Sequence, residues 1–121
     1  MFNLKNKISY NINPVVNEFL NKVKILLGNR LKKAILYGSY ARGDYNNSSD
    51  IDIMILTDFS KEEIEEYRDK ISDIAFDIEL STGYIISPII RNIDIFNIRT
   101  SYIPFYHNVE KEGVILIGWW K

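Results

Sequence analysis

The chain contains no cysteine, one histidine, three prolines and six glycines in 121 residues. Without cysteine it can form no disulfide, no thiolate zinc site and no cysteine nucleophile, which is compatible with a reducing compartment. No stretch approaches the roughly 20 apolar residues that cross a bilayer. The opening "MFNLKNKISY" carries no continuous apolar segment of signal-peptide length, so the cytoplasm is the expected location. A net charge of -1 argues against direct nucleic-acid binding driven by overall charge, and Lys22, Lys24, Arg30, Lys32 and Lys33 read as a solvated surface. No Pro/Gly-rich or single-charge block marks a linker or a disordered arm.

What is present is a globular balance, 46% hydrophobic and 26% charged, at a length that suits one domain over residues 1–121. From Asn13, with Pro14 suited to a first helical position, Val15, Val16, Phe19, Leu20, Val23, Leu26 and Leu27 recur at helical spacing up to Gly28. Ala34 to Tyr37 is short and apolar, as a buried strand is, and "GDYNNSS" is a loop by its turn residues. Ile51, Ile53, Met54, Ile55 and Leu56 predict a second strand. Ser60 followed by Glu63 has the form of a capping box opening a helix whose apolar face is Ile64, Tyr67, Ile71, Ile74, Ala75 and Ile78. After Gly83, "YIISPII" predicts a third strand with Pro88 at an edge or a bulge. Two short helices are expected across "NIDIFNIRTSYIPFYHNVEKEG", and "VILIGWW" closes the chain as an apolar tail in which Trp119 and Trp120 pack. The fold class is α/β, a small mixed sheet flanked by helices.

Chemistry concentrates in "ILYGSYARGDYNNSSDIDIMILTD", Ile35 to Asp58. Residues two apart on a strand share a face, so Asp50 and Asp52 project together while Ile51 and Ile53 point the other way. Two close carboxylates repel, and a shared proton or a bound cation relieves this. Mg2+ is commonly held by one or two carboxylates plus substrate phosphates. Gly38 and Ser39 supply a turn that a phosphate can approach closely, and Arg42 adds a cationic fork. Together these residues describe a grip on a nucleoside triphosphate. The tripeptide Arg42-Gly43-Asp44 reads as a coincidence of common residues, and His107 as structural or exposed.

With those residues in place, "YGSYARGDYNNSSDIDIMI" resembles the signature of the DNA polymerase beta-type nucleotidyltransferase superfamily. The "GSYARG" and "SDIDI" wording and the ending "FYHNVEKEGVILI" are most similar to the minimal nucleotidyltransferases, small proteins often encoded beside a HEPN-domain partner as toxin–antitoxin pairs. The resemblance implies a nucleotidyltransferase fold and transfer of AMP from ATP to a hydroxyl, in this family a tyrosine on a HEPN toxin. It implies that Gly38 and Ser39 hold the triphosphate, that Asp50 and Asp52 bind Mg2+, and that Arg42 supports the phosphates or the motif loop. The superfamily commonly adds a third carboxylate from a later strand, yet residues 83–90 contain no acid. Asp77 is the candidate replacement if its helix ends early. The alternative is an antitoxin that binds nucleotide or partner with impaired catalysis.

Overall fold

Asn13–Leu27 forms helix α1, with Pro14 in its first turn, where a missing N–H costs nothing. Val15, Val16, Phe19, Leu20, Val23 and Leu27 are buried along one stripe, as their spacing predicts, and the helix stops at Gly28. The structure, a computed structural model, describes residues 10–117. Trp119 and Trp120 lie outside the described residues.

Strand β1, Leu31–Tyr37, starts three residues before the apolar run because Leu31 and Lys33 already pair with Thr57 and Leu56. One helical turn, α2 (Ser39–Arg42), and a loop lead to β2, Ile51–Thr57, which runs antiparallel to β1. Helix α3 spans Lys61–Thr82, and its capping box is formed: Glu63 donates its N–H to Ser60 Oγ at 3.2 Å and Ser60 donates its N–H to Glu63 Oε1 at 3.0 Å. Strand β3, Ile86–Asn92, lies parallel to β2. Helices α4 (Ile93–Arg99) and α5 (Pro104–Glu112) follow, in the segment expected to hold two short helices. The apolar tail supplies a strand, β4 (Val114–Ile117), antiparallel to β1, so the sheet order is β3-β2-β1-β4.

The alternation along β2 divides the molecule into three layers. Ile51, Ile53 and Ile55 join the main core with α1 and α3, while Met54 and Leu56 join Phe96, Tyr106 and Val109 of α4 and α5 on the other face. Burying each such side chain stabilises the fold by about 1.5–3 kcal/mol. Asp52 falls in the Met54 and Leu56 set, so it opens toward α5.

Pro88 resolves as an edge proline. Ile51 donates its N–H to the Ile85 carbonyl at 2.8 Å, so residues 85, 87, 89 and 91 turn their backbone groups to β2 and the Pro88 nitrogen faces the open edge. A missing donor there blunts the edge against pairing with another chain.

The basic surface is partly neutralised. Arg30 is paired with Asp58 and with Glu63 (3.0 Å), Lys32 with Asp58 (3.7 Å) and Lys22 with Glu18 (3.1 Å). These pairs reduce the charge available for a polyanion.

Candidate functional site

Gly38 ends β1 at φ 79°, and a Cβ at this position would collide with the Asp52 carboxylate, so only glycine fits between strand and carboxylate. The Gly38 carbonyl then accepts from Ala41 (3.1 Å) and Arg42 (3.0 Å), closing the single turn of α2. The amides of Ser39 and Tyr40 precede the first bond of that turn, the position from which backbone donors meet an anion. Arg42 is aimed by two carboxylates: its Nε donates to Asp44 Oδ2 at 3.2 Å, and its Nη1 lies 3.6 Å from Glu112 Oε1. The hydrogen bond it donates to Asp44 raises the Arg42 pKa and keeps the guanidinium charged. The Arg-Gly-Asp tripeptide is thus an internal ion pair around a one-turn helix.

The loop to β2 is folded by its own side chains. Asn46 Oδ1 accepts from the Ser48 N–H at 2.7 Å, Ser49 Oγ accepts from the Asn46 N–H at 2.9 Å, and the Tyr45 ring stacks on buried Tyr40 at 4.5 Å. This delivers Asp50 to the start of β2. There Ser87 Oγ of β3 donates to Asp50 Oδ2 at 3.0 Å, and the ladder sets Ser87 beside Asp52.

Burial pushes the Asp52 carboxyl up, the Asp50 charge adds to the shift, and Arg42 opposes it. Tyr37, directly across the ladder from Asp52, is pushed up to about 12 by burial and then by the Asp52 charge, against Arg91. Its phenol stays protonated.

The cleft these residues enclose measures about 550 Å³. One wall is the Gly38 turn with Ser39, Arg42 and Asp52. The other is α5, which presents Phe105, Asn108 and Glu112 at positions i, i+3 and i+7. Arg91 and Phe96 fix that helix through Tyr106: Arg91 Nε donates to Tyr106 Oη at 3.1 Å, and Phe96 meets its ring edge-on at 5.7 Å. At the other end, a Cβ on Gly113 would strike Ile35 and the Val109 carbonyl, so glycine lets α5 close against β1.

The structure therefore brings together Gly38, Ser39, Arg42 and Asp52, with Asp50 beside them. Asp77 does not join them. Its helix continues to Thr82 and covers the opposite face of the sheet, where Asp77 is exposed. Among the described residues, no third acidic or histidine side chain completes a metal cluster with Asp50 and Asp52. His107 is exposed on α5 and does not line the cleft. The sequence reading missed Tyr37, Ser87, Phe105, Asn108 and Glu112, of which the α5 residues carried a signal in their shared helical spacing. Two carboxylates of hard oxygen donors beside a phosphate-sized turn fit a hexacoordinate cation that takes its remaining ligands from phosphates and water.

A mixed sheet that ends one strand in Gly-Ser and begins the next with paired aspartates defines a nucleotidyltransferase domain. Residues 21–118 match the family described as "Polymerase beta, Nucleotidyltransferase", and the chain belongs to that family. It is 37% identical over 106 residues to "Putative protein adenylyltransferase MJ0604" of Methanocaldococcus jannaschii, covering 88% of this chain and 98% of that protein. A second protein of the same description and organism, MJ0141, is 38% identical over 100 residues, covering 83% of this chain and 93% of its own length. Among solved structures, a toxin–antitoxin with AMP-PNP has a similar fold, with a TM-score of 0.52 at 23% identity, over 81% of this chain and 72% of that one. A mutant of the toxin–antitoxin MntA-HpeT gives the same TM-score of 0.52 at 21% identity, over 81% of this chain and 72% of its own.

Proposed function

We propose that this chain is a Mg2+-dependent protein adenylyltransferase, transferring AMP from ATP to a tyrosine hydroxyl of a HEPN-type partner and so acting as the antitoxin of a cytoplasmic toxin–antitoxin pair. The observation that carries the proposal is the convergence of Gly38, Ser39, Arg42 and Asp52 on one cleft with room for a nucleotide. The names of the archaeal relatives support a protein acceptor, and the toxin–antitoxin complexes of similar fold support a toxin partner.

The acceptor hydroxyl comes from another chain and reacts in the cleft between α5 and the Gly38 turn. Its oxygen bonds to the α-phosphorus, the bond to the bridging oxygen breaks, and pyrophosphate departs along Ser39 and Arg42. Ser39 offers a hydroxyl donor and Arg42 a charged fork to the departing phosphates. Asp50 and Asp52 would hold Mg2+, which when bound neutralises charge on the phosphates. Ser87 fixes the orientation of Asp50. With no carboxylate on β3, the hydroxyl proton passes to water or to a basic group that the acceptor brings.

A strand β3 without a carboxylate also favours a second reading, a binding antitoxin with impaired catalysis. The experiment is transfer of label from α-labelled ATP with Mg2+ to a co-expressed HEPN-type partner, with the Asp50→Ala/Asp52→Ala double variant alongside. Label on the partner that vanishes in the variant supports the transferase. A tight complex without label supports the binding antitoxin.

A further inference from the structure

The proposed function leaves open which protein groups meet the base of the nucleotide. The two cross-cleft contacts answer this by ordering the site. Arg42 meets Glu112 at one end of α5, and Tyr37 meets Phe105 at the other, ring centroids 5.7 Å apart and nearly perpendicular. Seven residues of helix separate the two contacts by about 10 Å, close to the reach of a nucleotide from its terminal phosphate to its base. Gly38 and Asp52 line the same cleft, and a Cβ on Gly38 would meet the Asp52 carboxylate. The phosphate end is set by the Arg42 charge and the reacting phosphorus by Asp52. The remaining end is aromatic.

We infer that α5 is the nucleoside wall of the cleft, with Phe105 stacking on the base and Asn108 reading its hydrogen-bonding edge. Phe105 is 43% exposed although it lines the cleft, so it has ring surface left for a planar heterocycle after its contact with Tyr37. Asn108, one turn further along the same face, carries both a donor and an acceptor, the pair that matches the edge of adenine. Glu112, by holding Arg42, keeps the phosphate and base ends of the wall in register. This assignment rests on the nucleotide reading of the same cleft.

The test separates base from phosphate by calorimetric titration of Mg-ATP and of Mg-tripolyphosphate into wild type, Phe105→Ala, Phe105→Trp and Asn108→Ala. Phe105→Ala is expected to weaken ATP about tenfold and leave tripolyphosphate unchanged, Phe105→Trp to retain ATP, and Asn108→Ala to narrow the difference between ATP and GTP. Equal losses for ATP and tripolyphosphate in Phe105→Ala overturn the inference, as does an unchanged ATP affinity. Unchanged ATP affinity with reduced transfer would assign the wall to the acceptor instead. A wild type that binds tripolyphosphate as well as ATP refutes the base contact alone. A wild type that binds neither refutes the nucleotide reading itself.

Discussion

The two faces of the sheet are built on opposite terms. Against α1 and α3, Ile51, Ile53, Ile55, Phe19, Val23, Ile71 and Ile78 close into a continuous apolar core. Against α4 and α5 the apolar cluster is smaller, and the strand ends beside it carry Asp52 and Tyr37 at the margin of an open cleft. One face supplies the folding free energy and the other spends part of it on a half-buried carboxylate beside a second one. The lesson is that β2 serves both at once because its alternation sends isoleucines one way and aspartates the other.

The largest effect should come from the apolar face. Phe19, fully buried in α1, when changed to alanine should cost about 3–5 kcal/mol in chemical denaturation, whereas Phe105→Ala on the cleft side should cost far less. Similar losses at both positions would erase the contrast.

Next comes Asp52→Asn. Transfer should fall about 100-fold or more, while thermal stability without divalent cation should rise at neutral pH. The sign follows from linkage: a carboxyl whose pKa is raised on folding holds its proton more tightly in the folded chain, so its ionisation erodes stability as pH climbs through that raised value. The gain should therefore disappear in acid below about pH 3.9, where both forms are neutral. Melting curves across pH check it, and a stability loss at neutral pH would mean that Asp52 is a structural group.

Smaller still is Ser87→Ala. Removing the hydroxyl that orients Asp50 should weaken Mg-ATP about tenfold with the melting temperature nearly unchanged. Loss of stability without loss of affinity would place Ser87 in the scaffold rather than the site.

The smallest effect belongs to the Arg30 cluster at the far end of the sheet. Hydrogen bonds from Arg30 lower the pKa of both Asp58 and Glu63, so the stability they contribute is present above the ordinary carboxylate range and fades as pH falls through the lowered values. Arg30→Ala should flatten the acid limb of the stability profile slightly and leave transfer untouched. These groups are at the surface, where solvent screens the pair.

Much of this is legible in the sequence. The stripe from Val15 to Leu27 and the Ser60–Glu63 cap are local patterns, and both formed as written. The Gly38, Ser39, Arg42, Asp50 and Asp52 set was legible because strand, turn and strand are contiguous and a hairpin brings its own ends together. Asp77 was a candidate only if its helix ended early, and α3 runs on to Thr82, an end that periodicity alone does not mark. Strand β4 was read as a tail because four apolar residues have no period to measure, and its partner lies in β1, far back along the chain.

By itself, then, the sequence determined the helices, the turn and the pairing of two aspartates on one strand face, since these depend on residues within a few positions of each other. Only the tertiary structure decided that Ser87 stands beside Asp50, that α3 carries Asp77 away, and that Phe105, Asn108 and Glu112 close the cleft. Those outcomes depend on strand register and helix docking, which are set by burial between segments distant in the chain.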